Sequence, residues 1–294
     1  MTVIFGMTWR EMLRKRVVLL TLLLTLAFLV AFWFIAQTIG SAGSIAGLDP
    51  NGGEALMERF ARGAFLLTLG YFFGAFVVAF LSIFSSFSAI AGEAEQGVLQ
   101  AMLPRPVPRW QWYLGRWLGY VTMGVLYAFL LYVAILGITQ WHASVPRDAV
   151  SLAEAFLLFA MPVPILAAVS MLGSGFLSAL GNGVFMTMLY GAGWLGGMIE
   201  KLGGQMPLGA VVLAPLSKIS GLIALVMPVD GLQGKMLAVL FDYGSLGSLM
   251  PVGANPMNQF AFGQVPSASF VVYAGIYGLA ALGLGLWRFE RKDL

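Results

Sequence analysis

The feature that most restricts this chain is a set of long apolar runs, the first of them unbroken from Val17 to Ile39. A bilayer's hydrocarbon core, about 30 Å thick, needs roughly 20 apolar residues for each helical crossing. Inside lipid every backbone N–H and C=O must find its partner within the chain, so only helices or closed barrels can cross. Barrel strands would alternate apolar and polar residues over about ten positions, and these runs do not alternate. Composition agrees: 10% of the 294 residues are charged and 60% hydrophobic, against about 25% charged in a soluble domain. The fold class is therefore an all-α integral membrane protein.

The runs predict six transmembrane helices over 17–39, 64–85, 114–139, 152–180, 184–199 and 269–287. Before the first, residues 5–16 carry Arg10, Glu11, Arg14, Lys15 and Arg16 among apolar residues, the pattern of an amphipathic helix lying in the membrane interface. A secretory signal peptide also begins basic and then apolar. Its apolar part runs about 7–15 residues, shorter than the run here. Pro162 and Pro164 should kink the fourth span, and Gly181-Asn182-Gly183 reads as the turn into the fifth. Residues 208–227 are apolar enough for a seventh span, but Lys218 and Pro215 lie near their middle, and a mid-membrane charge costs about 3 kcal/mol.

Charge settles the count. With six spans, ten of the sixteen Lys and Arg residues fall on the face that carries both termini, and the basic face is the cytoplasmic one. The faces then carry net +5 and −2, which together give the chain's +3. Both termini are expected in the cytoplasm, and 200–268 outside as short interfacial or re-entrant helices.

Several chemistries are excluded. There is no cysteine, so disulfides, thiol nucleophiles and iron–sulfur clusters are out. No G-x-x-x-x-G-K-S/T phosphate loop occurs; Gly234-Lys235 is followed by Met236. The single histidine, His142, sits beside Trp141 in a loop and cannot make a two-histidine metal or haem site. No catalytic or metal-binding residue is assigned. Ionisable residues are nearly absent from the spans, which argues against a proton-driven transporter. Small residues recur at Gly70/Gly74, Gly115/Gly119 and Gly193/Gly197, a spacing that lets helices approach closely. Ser170, Gly173, Ser174 and Ser178 form a small polar face in the fourth span, suited either to helix packing or to a cavity or dimer seam.

The most polar stretch between spans is 92–112. Residues 92–103 predict a short amphipathic helix with Val98, Leu99, Met102 and Leu103 available for one face, ended by Pro104, Pro106 and Pro108. Arg109 and Arg116 anchor the chain's return to the membrane. Such a helix is what a helix-in-groove partner requires.

This segment resembles the first cytoplasmic loop of ABC-2 type permeases. That loop has an acidic G-E-x-E/x-x-G pattern, an L-x-x-L run, a P-V-x-R element, and G-K/R leading into span three. Here these are Gly92-Glu93, Gly97, Leu99, Pro106-Val107-Pro108-Arg109 and Gly115-Arg116. The start, Trp9 to Arg16, is similar to the family's R-E-x-x-R-x-R interfacial helix, and the end, Arg288 to Leu294, to its F-x-R-R-D-L tail. Val98 and Pro108 stand where threonine and serine are usual.

The resemblance implies a type V exporter-like permease, a homo- or heterodimer of six-span subunits in a bacterial or archaeal plasma membrane. Each subunit would dock on a separate ATPase that binds ATP and magnesium; this chain would hold no cofactor. The 92–103 segment would be the coupling helix, with Glu93, Glu95, Gly97, Leu99, Met102, Leu103 and Arg109 as ATPase-coupling residues. The interfacial helix would be represented by Arg10, Glu11, Arg14 and Arg16. Substrate would pass where spans two and five meet a second copy, along Gly70, Phe73, Gly74, Tyr190, Gly193 and Trp194. A secondary transporter, or a membrane anchor in a complex without an ATPase, is the alternative. No nucleic-acid partner is expected, and nothing in the sequence selects a substrate.

Overall fold

The computed structural model describes residues 2–14, 16–41, 53–95, 97, 108–143, 148–203, 210–241 and 266–291. All secondary structure among them is helical. In chain order the helices are α1 (Thr2–Arg14), α2 (Arg16–Ser41), α3 (Gly53–Ser86), α4 (Ala91–Glu95), α5 (Arg109–His142), α6 (Ala149–Ala160), α7 (Pro162–Ser174), α8 (Ala179–Gly203), α9 (Ala210–Val226), α10 (Val229–Leu240) and α11 (Ala268–Arg291).

Five stretches are long and apolar enough to cross a membrane: Val18–Gly40, Arg59–Glu95, Arg109–His142, Ala149–Ser174 and Ala268–Arg291. They cover the predicted second, third and sixth spans, all of the first except Val17, and most of the fourth. The fifth, 184–199, lies within α8, whose 25 residues reach about 37 Å but include seven glycines that dilute its apolar character.

The fourth span stays one crossing, with its joint at Met161. Pro162 opens α7, a position where the missing N–H is not needed. Met161 keeps helical backbone angles (φ −58°, ψ −32°) and donates its N–H to Leu157 at 3.0 Å. The far end departs from expectation: the helix stops at Ser174 rather than running to 180. The turn falls at 175–178, and Gly181-Asn182-Gly183 lies in the first turns of α8. Ser178 Oγ accepts the Gly181 N–H at 3.2 Å, an N-cap bond that starts α8 earlier than its glycines suggest.

The α6–α7 span is the centre of the bundle, 67% buried in its apolar window, whereas the α2 span is 22% buried. Leu19, Leu20, Leu22, Leu23, Leu24 and Leu26 on α2 are all more than half exposed, as a lipid-facing helix requires. The core joins α3, α5 and α6 through stacked Tyr71 and Tyr132 (5.0 Å) and Phe159 set edge-on to Tyr71 (5.4 Å). Several helix hydroxyls find local acceptors: buried Ser82 and half-buried Thr122 and Thr187 each donate to the carbonyl four residues back, the usual way a helix satisfies them without water. His142 is the last residue of α5, not a loop residue, and packs edge-on against Trp33 at 4.7 Å.

Within the expected outer region, α9 and α10 meet at 95° across Met227–Pro228. Within the described residues α9 is thus one arm of a bent helix pair rather than a straight span. The hairpin seats on α8. Met227 covers Gly193, Ile223 covers Gly196 and Asp230 covers Gly197, while Lys201 Nζ lies 3.0 Å from Asp230 Oδ1. Any side chain at Gly197 would overlap the Asp230 carboxylate.

Candidate functional site

After α3 the chain turns through 87–90 and enters the five-residue α4. The helix expected over 92–103 is not continuous. Gly97 has φ +70° and donates its N–H to Ala94 at 3.1 Å, the left-handed position at which helices end and for which glycine carries no Cβ penalty. Leu99, Met102 and Leu103 lie outside the described residues.

Two helices, α7 and α8, hold this elbow by hydrogen bonds. Ser174 Oγ, at the end of α7, accepts the N–H groups of Ile90 and Ala91 (3.1 and 2.9 Å), so another span caps the start of α4. Asn182 of α8 donates from Nδ2 to Phe87 O at 2.7 Å and Ser170 O at 2.8 Å, bridging elbow and α7 with one amide. Glu95 Oε1 accepts the Ala179 N–H at 3.0 Å. A carboxylate at a helix N-terminus also meets the positive end of its dipole. From the small polar face, the Ser174 hydroxyl and, through Asn182, the Ser170 carbonyl hold the elbow inside the subunit.

Arg116 completes the arrangement. It lies in α5, only 2% exposed, and its guanidinium pairs with Glu11 of α1 through Nη1 and with Glu93 of α4 through Nη2. Its far face lies over the Trp112 ring at 5.4 Å, and Trp112 stacks on Phe289 of α11 at 5.0 Å. Burying a charge costs several kcal/mol unless it is paired; the forked guanidinium can serve two carboxylates at once, which lysine's point charge does poorly. Arg109 Nη1 donates to Glu290 O at 3.0 Å. The N-terminal helix, the elbow, the start of α5 and the end of α11 thus meet at one end of the bundle.

Arg10 and Arg14 are exposed on α1, Glu11 points inward to Arg116, and Arg16 opens α2 with its side chain outside the described ones. Gly70 and Gly74 pack against Ile135, Phe32 and Leu131 of the same chain, and Gly193 against Met227. Phe73 is 47% exposed and Tyr190 6%. Tyr190 and Trp194 meet Phe76 edge-on at 5.8 and 5.5 Å, forming an aromatic seam between α3 and α8.

Sequence reading undervalued Ser174, Asn182 and Arg116. Arg116 carried the readable signal: an arginine two turns into an apolar helix needs a partner, and Glu11 and Glu93 were already assigned to its face. Among the described residues no group of three His, Asp or Glu could hold a metal ion.

No curated protein matches the sequence. A family model described as ABC-2 family transporter protein matches residues 2–294. The chain belongs to the ABC-2 transporter family and is a multi-pass permease component of an ABC transporter.

Proposed function

We propose that this chain is the permease subunit of an ATP-binding cassette exporter, working with a separate ATPase and a second permease copy or homologue in a bacterial or archaeal plasma membrane. The observation that carries the reading is the elbow: one five-residue helix is tied to α1 and α5 through Arg116, to α7 through Ser174 and to α8 through Glu95. A push delivered beyond Gly97 would move these elements together, the rigid coupling between two sites that an ATP-driven transporter needs. Glu93 and Glu95 then act inside the permease, passing movement on. Docking on the ATPase falls to the apolar residues after Gly97, namely Leu99, Met102 and Leu103, with Arg109 fixing the start of α5. The substrate path would follow the exposed side of the α3–α8 seam, where Phe73 is open and Tyr190 and Trp194 line its back. Gly70 and Gly74 let α2 and α5 approach the other side of α3, and Gly193 seats Met227 on α8, so these glycines set the positions of the two helices that form the seam.

Co-purification and transport, measured together, test this. Leu99→Glu with Leu103→Glu should release the ATPase from the purified complex. Glu93→Gln should keep the complex but lower substrate moved per ATP hydrolysed. Transport by the purified chain alone, driven by an ion gradient, would overturn the proposal.

A further inference from the structure

The two faces of α1 have different surroundings. On one, Thr8 and Met12 are fully buried, Trp9 Nε1 donates to Thr122 Oγ1 at 2.9 Å, and Glu11 reaches Arg116. Thr8 sits where a Cβ on Gly119 would be, so α1 is pressed against α5 and cannot roll. On the opposite face Val3 is 81% exposed, Met7 44% and Leu13 60%, and Arg10 and Arg14 are exposed one turn apart. An open cleft of about 820 Å³ runs along this face, where Val3, Gly6, Met7, Arg10, Glu11 and Arg14 are among the residues that line it.

We propose that this face binds an anionic phospholipid, with the phosphate on Arg10 and Arg14 and the acyl chains along Val3 and Met7. Residues four apart on a helix hold their Cβ atoms about 5–6 Å from one another, so two guanidinia can close on one phosphate from either side. A water-soluble phosphate would leave the open Val3, Met7 and Leu13 unexplained; a lipid uses both kinds of surface. Depth agrees. The α5 helix is about 51 Å long by its 34 residues, well beyond the roughly 30 Å hydrocarbon core. Gly119 and Arg116, which hold α1, lie about 10–15 Å from its start, at the level of the headgroups. Basic residues at that level attract anionic leaflets.

The site also has an address within the machine. Glu11 lies between Arg10 and Arg14 in the helical winding and joins Arg116, which holds Glu93 of the elbow. An occupied site would therefore stiffen the elbow's anchor. Only this consequence rests on the exporter reading; the binding itself does not.

The test uses the purified full chain in neutral detergent, with bound lipid counted by native mass spectrometry and thermal unfolding followed in parallel. Phosphatidylglycerol, phosphatidylcholine and soluble glycerol phosphate are titrated separately. The wild type should retain phosphatidylglycerol in preference to phosphatidylcholine and unfold at higher temperature with it. In Arg10→Gln with Arg14→Gln that preference should fall by roughly thirty-fold, while Lys218→Gln, an exposed charge on α9, should leave it unchanged. Val3→Ser with Met7→Ser should weaken retention of both lipids equally. Equal retention of the two lipids by the wild type would overturn the proposal, as would full preference in the double arginine variant. Glycerol phosphate reproducing the shift would make this a free-phosphate site, and loss of the ATPase without any change in lipid binding would make it a protein-docking face; either result overturns it too. Failure of ATPase co-purification alone bears on the exporter reading and leaves this measurement standing.

Discussion

At the scale of single residues, Arg116 carries the largest consequence. Removing one partner from a buried ion pair leaves the other charge without compensation, which costs about 3–5 kcal/mol. Arg116→Met should destabilise the permease by that order in denaturant unfolding. Replacing Glu11 or Glu93 with glutamine alone should cost less, because the guanidinium keeps one carboxylate. Arg116→Gln combined with Glu93→Gln should be less damaging than the sum of the two single changes, since groups sharing one network are not additive. Additive losses would mean that the two side chains do not act on each other. Lys cannot replace this arginine fully, because an ammonium lacks the two-sided fork. The sequence announced a charge inside an apolar helix, and its two partners lie 105 and 23 positions away; only the crossing of α1 over α5 brings Glu11 within reach.

At the scale of elements, two predictions concern helix ends and a hairpin. Asp148 caps α6: its Oδ2 accepts the Ser151 N–H at 2.9 Å and the Ser151 hydroxyl at 2.7 Å. The Ser151 amide, and then its hydroxyl, hold this carboxyl below its ordinary value. A group depressed in the folded state stabilises above its unfolded pKa, about 3.9 for Asp, and its contribution fades as pH falls through the lower folded value. Wild type should therefore unfold at a higher temperature than Asp148→Ala at neutral pH, and the gap should close in acid below the carboxyl range. The second prediction uses the hairpin's seat on α8. Ser220 is buried and donates to Gly196 O at 2.8 Å. Because the chain has no cysteine, a lone Ser220→Cys reports that contact cleanly. Its thiol should label slowly, and faster once Asp230→Asn weakens the ion pair with Lys201 or Gly197→Leu lifts the hairpin off. Unchanged labelling in both would show that neither contact holds the hairpin down.

At the scale of the whole molecule, the meeting of α1, the elbow and the end of α11 requires an even number of crossings. Run lengths and basic residues predict six. The described helices offer five stretches of crossing length, or six if the bent α9–α10 pair is one span, and Arg109 ties the start of α5 to Glu290 near the end of α11. Sidedness can be read with an impermeant thiol reagent on intact cells: a cysteine replacing exposed Lys218 should label, and one replacing Thr2 should label only after permeabilisation. The opposite pattern would invert the topology.

Membrane embedding and helical class follow from sequence because they depend on the length of apolar runs, a property that neighbouring residues share along the chain. Family membership was legible for a similar reason, since Gly92-Glu93, Arg109 and Gly115-Arg116 form one contiguous pattern. Local signals misplaced the turn before α8, where Gly181-Asn182-Gly183 looks like a break. The Asn182 amide instead serves two carbonyls of other segments, and Ser178 supplies the cap. The end of α4 before Gly97 was not legible, because glycine in an amphipathic run is ambiguous until its φ is known. What only tertiary structure decided is which polar groups meet: Arg116 with Glu11 and Glu93, Ser174 with the elbow amides, Asp230 with Lys201. Apolar runs need only lipid around them, whereas a buried charge or an open helix end needs one particular partner, and that partner is set by how the helices cross.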